Sequence, residues 1–331
     1  MKYTNDIYRL KFILFCMLFV LLINLGACSS VSYELPYDAD SNISGFNILA
    51  DNGADTAAPF ARDLCIVTGD QIDPAFADTS QCTAALLLDI SNKEVLYAQN
   101  AHEKLFPASL TKVLTALVAL KYGSMDQILT ASNAIYINES GAQVCGLKPG
   151  DTMTLHQALY VALINSANDA ALLIAENIGG TVDNFVNMMN EEAKALGATN
   201  SHFVNPHGLT DAEQYTTAYD MYLIFNEAVK YETFVEIIQC TAYETTYHSS
   251  TGEAKTISVR NTNRYVNADA KAPENVTVIG GKTGTTNAAG HCLVLLSRDK
   301  NGSPYISVIL GGTSRDGLYA QMTDLLDEIN K

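Results

Sequence analysis

The sequence predicts a mixed α/β fold of the α+β kind: an antiparallel sheet packed by helices, an all-helical lobe, and an active-site cleft between them. Two apolar runs at 84–90 and 94–98 flank a polar turn, which is typical of a β-hairpin. A mainly helical stretch is expected from Ser109 to about Val229, and strands return towards the end of the chain. We therefore expect the terminal strands to pair in one sheet against which the helical insert packs.

The remaining elements follow from the hydrophobic pattern in chain order. Helical runs at 155–164 and 170–178 leave Ser166-Ala167-Asn168 in a short loop between them. β-branched residues and paired glycines precede Lys282, which favours a strand beside a ligand site, at the edge of the sheet. The last elements are expected to be strands at 276–283, 291–297 and 305–310 and an amphipathic helix at 318–329.

Composition limits the classes of function. With 331 residues and 48% hydrophobic content, the chain is able to bury a sizeable core, in one large domain or two small ones. Its formal net charge is -16 and it has no block of lysines or arginines, which argues against a nucleic-acid partner. His202 and His207 lie five residues apart without a third ligand, so we expect neither a metal site nor a cofactor.

Residues 1–27 are expected to be a signal peptide of the lipoprotein type. Basic residues precede an apolar run at 12–23 that is too short to be a convincing membrane span. Leu25-Gly26-Ala27-Cys28 resembles a bacterial lipobox, in which Cys28 carries the lipid that anchors the protein to the outer face of the cell membrane. The alternatives are an ordinary signal peptide and an uncleaved anchor.

Residues 28–77 are expected to be a flexible tether and residues 78–331 the catalytic domain. The tether is rich in Ser, Asp, Asn, Ala, Gly and Pro and has little periodicity, apart from local structure around Leu64-Cys65-Ile66-Val67. Outside the cytoplasm Cys65 and Cys82 are able to pair, but a sequence does not determine pairing.

The stretch from Pro107 to Lys112 offers the parts of a nucleophilic site. As the first turn of a helix, it places Ser109 and Lys112 on one face. A serine hydroxyl needs a neighbouring base, and a lysine acts as that base only where burial or a nearby cation favours the neutral amine. The helix N-terminus adds backbone N–H groups where an oxyanion would develop.

Three motifs in order carry a family resemblance. Ser109-Leu110-Thr111-Lys112, Ser166-Ala167-Asn168 and Lys282-Thr283-Gly284 match the motif set of penicillin-binding proteins and active-site serine β-lactamases. With Phe203-Val204-Asn205-Pro206-His207-Gly208-Leu209 and the residues after Lys282, the sequence resembles the serine-type D-alanyl-D-alanine carboxypeptidases from about Ala84 to Ile329. The resemblance implies the β-lactamase/transpeptidase-like fold, peptidoglycan stem peptides as substrate and β-lactam antibiotics as inhibitors.

The resemblance also implies roles. Ser109 would attack the penultimate D-Ala carbonyl with Lys112 as the base, and Ser166 would relay protons to the leaving amine. Asn168 would hold the substrate amide and the lysine, while the charge of Lys282 would keep Lys112 neutral and attract the substrate carboxylate. The residues expected to complete substrate binding and the oxyanion hole are Thr283, Gly284, Thr285 and the backbone N–H groups of Ser109 and Thr285.

The sequence departs from the family pattern in two places. Members usually hold the terminal carboxylate with an arginine on the last helix, and here the nearest candidate, Arg315, comes several residues early. Many members also carry a second, β-rich domain and a C-terminal anchor, whereas this sequence ends at Lys331, so we expect anchoring at the N-terminus.

Two rival functions remain at this stage. A class A β-lactamase needs a glutamate followed four residues later by an asparagine, and the corresponding stretch here is Val204-Asn205-Pro206-His207-Gly208-Leu209. A non-catalytic penicillin-binding sensor or scaffold would have no need of the base, so intact Ser109, Lys112 and Lys282 argue against it.

Overall fold

The structure, a computed structural model, describes residues 63–72 and 77–331. Its larger sheet has five antiparallel strands in the order β2-β1-β9-β8-β7, so the first hairpin pairs with the last strands of the chain as expected. The strands are β1 (Ala84–Asp89), β2 (Glu94–Gln99), β7 (Thr277–Thr286), β8 (Gly290–Arg298) and β9 (Pro304–Gly312). Strand β7 lies at one edge, as predicted.

Both faces of this sheet are buried, which explains why β1 is apolar from Ala84 to Leu88 rather than alternating. One face, with Leu86 and Val294, joins the main core beneath the helical lobe. The opposite face, with Leu87 and Leu295, packs on the closing helix through a second core that includes Met322. The sheet is therefore the middle layer between two helical layers.

Seven α-helices occur in the described part of the chain. They are α1 (Thr111–Tyr122), α2 (Leu155–Ile164), α3 (Asn168–Ile178), α4 (Val182–Ala195), α5 (Ala218–Ala228), α6 (Glu232–Gln239) and α7 (Arg315–Asp327). Helix α1 is buried over most of its length and packs against α5. Helix α7 begins at Arg315, three residues before the predicted start, because the Ser314 hydroxyl accepts a hydrogen bond from Gly317 N–H as an N-cap.

A second sheet was not predicted and corrects the expectation of a purely helical lobe. It has four strands in the order β3-β4-β5-β6: β3 (Ile128–Thr130), β4 (Thr152–Thr154), β5 (Ala242–His248) and β6 (Ala254–Arg260). Strands β3 and β4 have three residues each, too few to show a period of two in the sequence.

The segment before β1 corrects the predicted tether. Cys65 and Val67 are buried in the main core, and Gln71 exchanges two backbone hydrogen bonds with Ala98 at the outer edge of β2. A flexible tether that reaches residue 77 is therefore wrong for residues 63–71. Cys65 and Cys82 are both buried as free thiols, so the disulfide left open by the sequence does not form here.

The predicted signal peptide, Cys28 and the tether up to residue 62 lie outside the described residues. Among the helices that are described, none is long and apolar enough to cross a membrane.

Candidate active site

The predicted nucleophile lies in a short 3₁₀ turn, Ala108–Leu110, rather than in the first turn of helix α1. Ala108 has φ of +47°, a left-handed conformation that is uncommon for a residue with a side chain. Gly208 packs directly on this turn, since a Cβ there would come within 1.9 Å of the Ala108 carbonyl oxygen. Gly284 of β7 approaches from the other side, where a Cβ would lie 3.0 Å from Ser109 N. The turn is thus held between a loop and the edge strand.

Lys112 is 1% exposed and has three polar partners. Its Nζ lies 2.7 Å from Asn168 Oδ1, 2.6 Å from the His207 carbonyl oxygen and 3.0 Å from Ser109 Oγ. The first two partners accept hydrogen bonds but cannot donate them. A neutral amine has two N–H donors for these acceptors and one lone pair, which is left for the Ser109 hydroxyl. The set of partners therefore suits the form of lysine that is able to take a proton.

The electrostatics of the site favour the same form. Burial, and then the charge of Lys282, lower the pKa of Lys112 well below its ordinary value, while Asp169 opposes this shift. The His207 ring beside Lys112 adds no positive charge at neutral pH, because burial and Lys112 lower its pKa to about 3. The groups that act on Lys112 are thus the ammonium of Lys282, the carboxylate of Asp169 and the neutral imidazole of His207.

Lys282 projects from β7 into the same buried region. Its Nζ lies 3.0 Å from Ser166 Oγ and 2.9 Å from the Thr283 carbonyl oxygen. Burial lowers the pKa of Lys282 to about 7, so at neutral pH it carries its charge only part of the time. The charge of Lys282 therefore lowers the pKa of Lys112 mainly below pH 7, and this effect weakens as the pH rises above 7.

Ser166 and Asn168 lie at the start of α3, as the loop between two helices requires. Ser166 has φ of +65°, which turns the chain sharply between α2 and α3. The Ser166 hydroxyl contacts Lys282, and the Asn168 side chain contacts Lys112. The Ser-x-Asn motif therefore contacts both buried lysines.

Asp169 is a residue that the sequence analysis missed. It is buried, and its carboxylate accepts hydrogen bonds from the backbone N–H groups of Cys145, Gly146 and Leu147. Residues 139–143, just before this segment, form one wall of the cavity described next, and Asn168 N–H donates a hydrogen bond to the Gln143 carbonyl oxygen at 2.8 Å. The motif residue is thereby fixed to this wall through its backbone.

These elements surround a cavity of about 970 Å³. Most of the predicted site residues line it: Ser109, Ser166, Asn168, Thr283, Gly284, Thr285 and Arg315. Lys112 and Lys282 lie beneath its floor, in contact with Ser109 and Ser166. The structure therefore brings together every predicted site residue except Cys28, which lies outside the described residues.

The lining of the cavity also includes three arginines, of which only Arg315 was expected. Arg260 pairs with Asp269 at 3.3 Å, and Arg264 pairs with Asp316 at 2.6 Å. Within residues 63–72 and 77–331, Arg315 makes no direct ion pair. Arg260 is the last residue of β6, and Arg264 follows this strand. No sequence pattern in this stretch distinguishes site residues from other exposed polar residues.

The described residues contain no group of three or more His, Cys, Asp or Glu side chains arranged to hold a metal ion. The His202 ring contacts the Glu213 carbonyl, and the His207 ring accepts a hydrogen bond from Leu209 N–H. Both imidazoles therefore have local structural contacts, and only the backbone carbonyl of His207 reaches Lys112.

The sequence is similar to known proteins over most of its length. Residues 72–314 match the model of peptidase family S11, D-alanyl-D-alanine carboxypeptidase. The chain is 35% identical to D-alanyl-D-alanine carboxypeptidase DacF of Bacillus subtilis over 75% of its own length and 61% of the relative's. It is 34% identical to DacC of Escherichia coli over 71% and 58% of the two lengths. The chain thus spans about three fifths of the length of these relatives.

The fold is also similar to a solved structure. The Streptomyces K15 DD-transpeptidase superposes with a TM-score of 0.70 at 27% sequence identity. The match covers 78% of this chain and 98% of that protein. The similarity therefore extends over both sheets and the helical lobe rather than a single motif.

Proposed function

The chain belongs to the D-alanyl-D-alanine carboxypeptidase family, and from this premise we propose that it removes the terminal D-Ala from peptidoglycan stem peptides through an acyl-enzyme on Ser109. The observation that carries the proposal is the hydrogen bonding of Lys112, whose two carbonyl partners leave a lone pair for the Ser109 hydroxyl. Such an amine is a base poised next to a nucleophile. Limiting the supply of pentapeptides would limit cross-linking of the cell wall.

The proposed reaction has two steps, acylation of Ser109 and hydrolysis of the resulting ester. The Ser109 proton passes to Lys112 Nζ as the Ser109 oxygen bonds to the penultimate D-Ala carbonyl carbon. The C–N bond to the last D-Ala then breaks, and its amine takes a proton delivered by way of Ser166. Water next attacks the ester, which frees Ser109 and the shortened peptide. Strand β7, at the edge of the sheet, offers its backbone to an extended peptide.

Penicillin binding follows from the same chemistry, because a β-lactam carbonyl acylates the same serine. Residues 204–209 contain no carboxylate, and their contact with the base is the His207 carbonyl. A class A β-lactamase would need a glutamate there to activate the deacylating water. We therefore expect a penicilloyl ester on Ser109 that is hydrolysed slowly.

Two measurements on the purified protein test this function. The wild type should release D-Ala from a peptide ending in D-Ala-D-Ala and should be labelled covalently by a fluorescent penicillin. Ser109→Ala should do neither, whereas Ser140→Ala, which changes another serine of the cavity lining, should do both. Rapid multiple turnover of penicillin would identify a β-lactamase, and labelling without D-Ala release would identify a penicillin-binding sensor.

We further propose that the protein acts outside the cytoplasm, anchored to the cell membrane by a lipid on Cys28. The support is the Leu25-Gly26-Ala27-Cys28 sequence after an apolar run. Cys28→Ala should release the protein from membranes or leave it unprocessed, while Cys240→Ala should not. A mature N-terminus beyond Cys28 without lipid would contradict the proposal.

A further inference from the structure

His291 lies at the corner of the cavity where the substrate carboxylate is expected. It pairs with Thr285 across strands β7 and β8, and its backbone neighbour on β9 is Gly312, shortly before Arg315. Its Nδ1 lies 3.1 Å from the Thr285 hydroxyl oxygen. The family resemblance includes His291 in the stretch after Lys282 but assigns no role to it.

The imidazole of His291 is neutral at neutral pH. Burial and then the guanidinium of Arg315 lower its pKa below the ordinary value. A neutral imidazole has one N–H donor and one acceptor nitrogen. The contact with Thr285 therefore has two alternatives, and they differ in which of the two groups donates the proton.

The alternatives have opposite consequences for an anionic ligand. If the Thr285 hydroxyl donates to Nδ1, its oxygen presents only lone pairs to the cavity and repels a carboxylate. If Nδ1 carries the proton and donates, the Thr285 hydroxyl hydrogen is free to turn into the cavity. Thr283 faces a similar constraint, since its hydroxyl lies 2.6 Å from that of Thr262.

We propose that His291 is a positioning residue that donates its Nδ1 proton to Thr285 and so directs the Thr285 hydroxyl towards the substrate carboxylate. The inference rests on the proposed function, because the carboxylate is that of a D-Ala-D-Ala peptide or of a penicillin. Arg315 supplies charge at this corner, and His291 supplies direction. The role needs a donor at the Nδ1 position and no titration of the ring.

Side-chain geometry provides matched variants. The amide nitrogen of asparagine reaches the place of Nδ1, whereas that of glutamine reaches further, near the place of Nε2. We expect His291→Asn to acylate with a free-acid penicillin at close to the wild-type rate. His291→Gln and His291→Phe should lose about two- to tenfold, the usual range for one neutral hydrogen bond, because the Thr285 hydroxyl stays in place but is no longer directed.

The methyl ester of the same penicillin is the internal control, because it has no carboxylate to bind. All three variants should react with the ester at the rate of the wild type. In a Thr285→Val background, His291→Gln should cause no further loss. Equal losses in the asparagine and glutamine variants, or an equal loss with the ester, would overturn the proposal.

A spectroscopic measurement on the free protein separates this inference from the function on which it rests. In protein labelled with ¹⁵N-histidine, the signals that disappear in His291→Asn report the two ring nitrogens of His291. We expect Nδ1 to be protonated and Nε2 to be bare. The reverse tautomer would refute the role of His291, whereas a wild type that no penicillin acylates would refute the proposed function.

Discussion

The two ends of the cavity treat positive charge in opposite ways. At the end near Ser109, Lys112 and Lys282 are each 1% exposed and burial lowers the pKa of both. At the exposed end, Arg260, Arg264 and Arg315 line the cavity. The lysines of the buried end therefore lose their positive charge readily, whereas the arginines of the exposed end keep theirs.

This difference in exposure explains why lysines occupy the buried end and arginines the exposed end. A lysine loses its proton readily when it is buried, whereas an arginine stays charged under all conditions in proteins. Proton transfer therefore needs lysine at the buried end. Attracting a carboxylate needs a lasting positive charge, which arginine provides.

The largest effect is expected from Lys112→Arg. A guanidinium keeps its charge when buried and has no lone pair for the Ser109 proton, so acylation by penicillin should slow by about 10²- to 10⁴-fold. Lys112→Met is the matched control, since it removes the lone pair without adding a permanent charge. Both variants should be equally inactive, and substantial labelling of the folded arginine variant would show that Lys112 is not the base.

A smaller effect is expected from Lys282→Ala, and it should depend on pH. Activity rises as Lys112 loses its proton, and the positive charge of Lys282 lowers the pKa of Lys112. Removing this charge raises the pKa of Lys112, so the onset of activity should move to higher pH. Because the pKa of Lys282 is about 7, the difference should be widest below pH 7 and narrow above it.

Asp169→Asn is a control that should shift the pKa of Lys112 in the opposite direction from Lys282→Ala. Asp169 raises the pKa of Lys112, so its removal should move the onset of penicillin acylation to lower pH. The melting temperature of each variant must be measured with its pH profile, because Asp169 also holds the loop at residues 145–147. Shifts in the same direction for both variants would contradict this account of Lys112.

The buried end was largely predictable from the sequence. Ser109, Lys112, Ser166, Asn168 and Lys282 occur in short motifs whose spacing and order are visible without a structure. The turn that holds Ser109 was not predictable in detail. Its left-handed Ala108 depends on Gly208 and Gly284, which reach it from distant parts of the chain.

The other features that were missed share a physical cause. Asp169 acts through backbone N–H groups of a loop without periodicity, and His291 acts through a contact between neighbouring strands. Cys65 and Val67 provide too few apolar positions to reveal that their segment is packed on the domain. Each of these contacts is a tertiary juxtaposition, for which local sequence patterns carry no signal.

The smallest effect is expected at the exposed end, from Arg315→Lys. Lysine keeps the charge in this position because Arg315 is exposed, so acylation by a free-acid penicillin should stay near the wild-type rate. Arg315→Gln should lose about two- to fivefold, as expected for an exposed ion pair. Arg264→Gln is the matched comparison, since the Arg264 guanidinium is already paired with Asp316.

The variant with the larger loss, Arg315→Gln or Arg264→Gln, identifies the arginine that holds the substrate carboxylate. If Arg315 does so, Arg315→Gln should raise KM for a D-Ala-D-Ala peptide more than Arg264→Gln, with kcat little changed, because the charge stabilises bound substrate and transition state alike. Added salt should narrow the gap between Arg315→Gln and the wild type, since solvent ions screen an exposed pair. A larger loss from Arg264→Gln would assign the carboxylate to Arg264 and show that the ion pair with Asp316 opens when substrate binds.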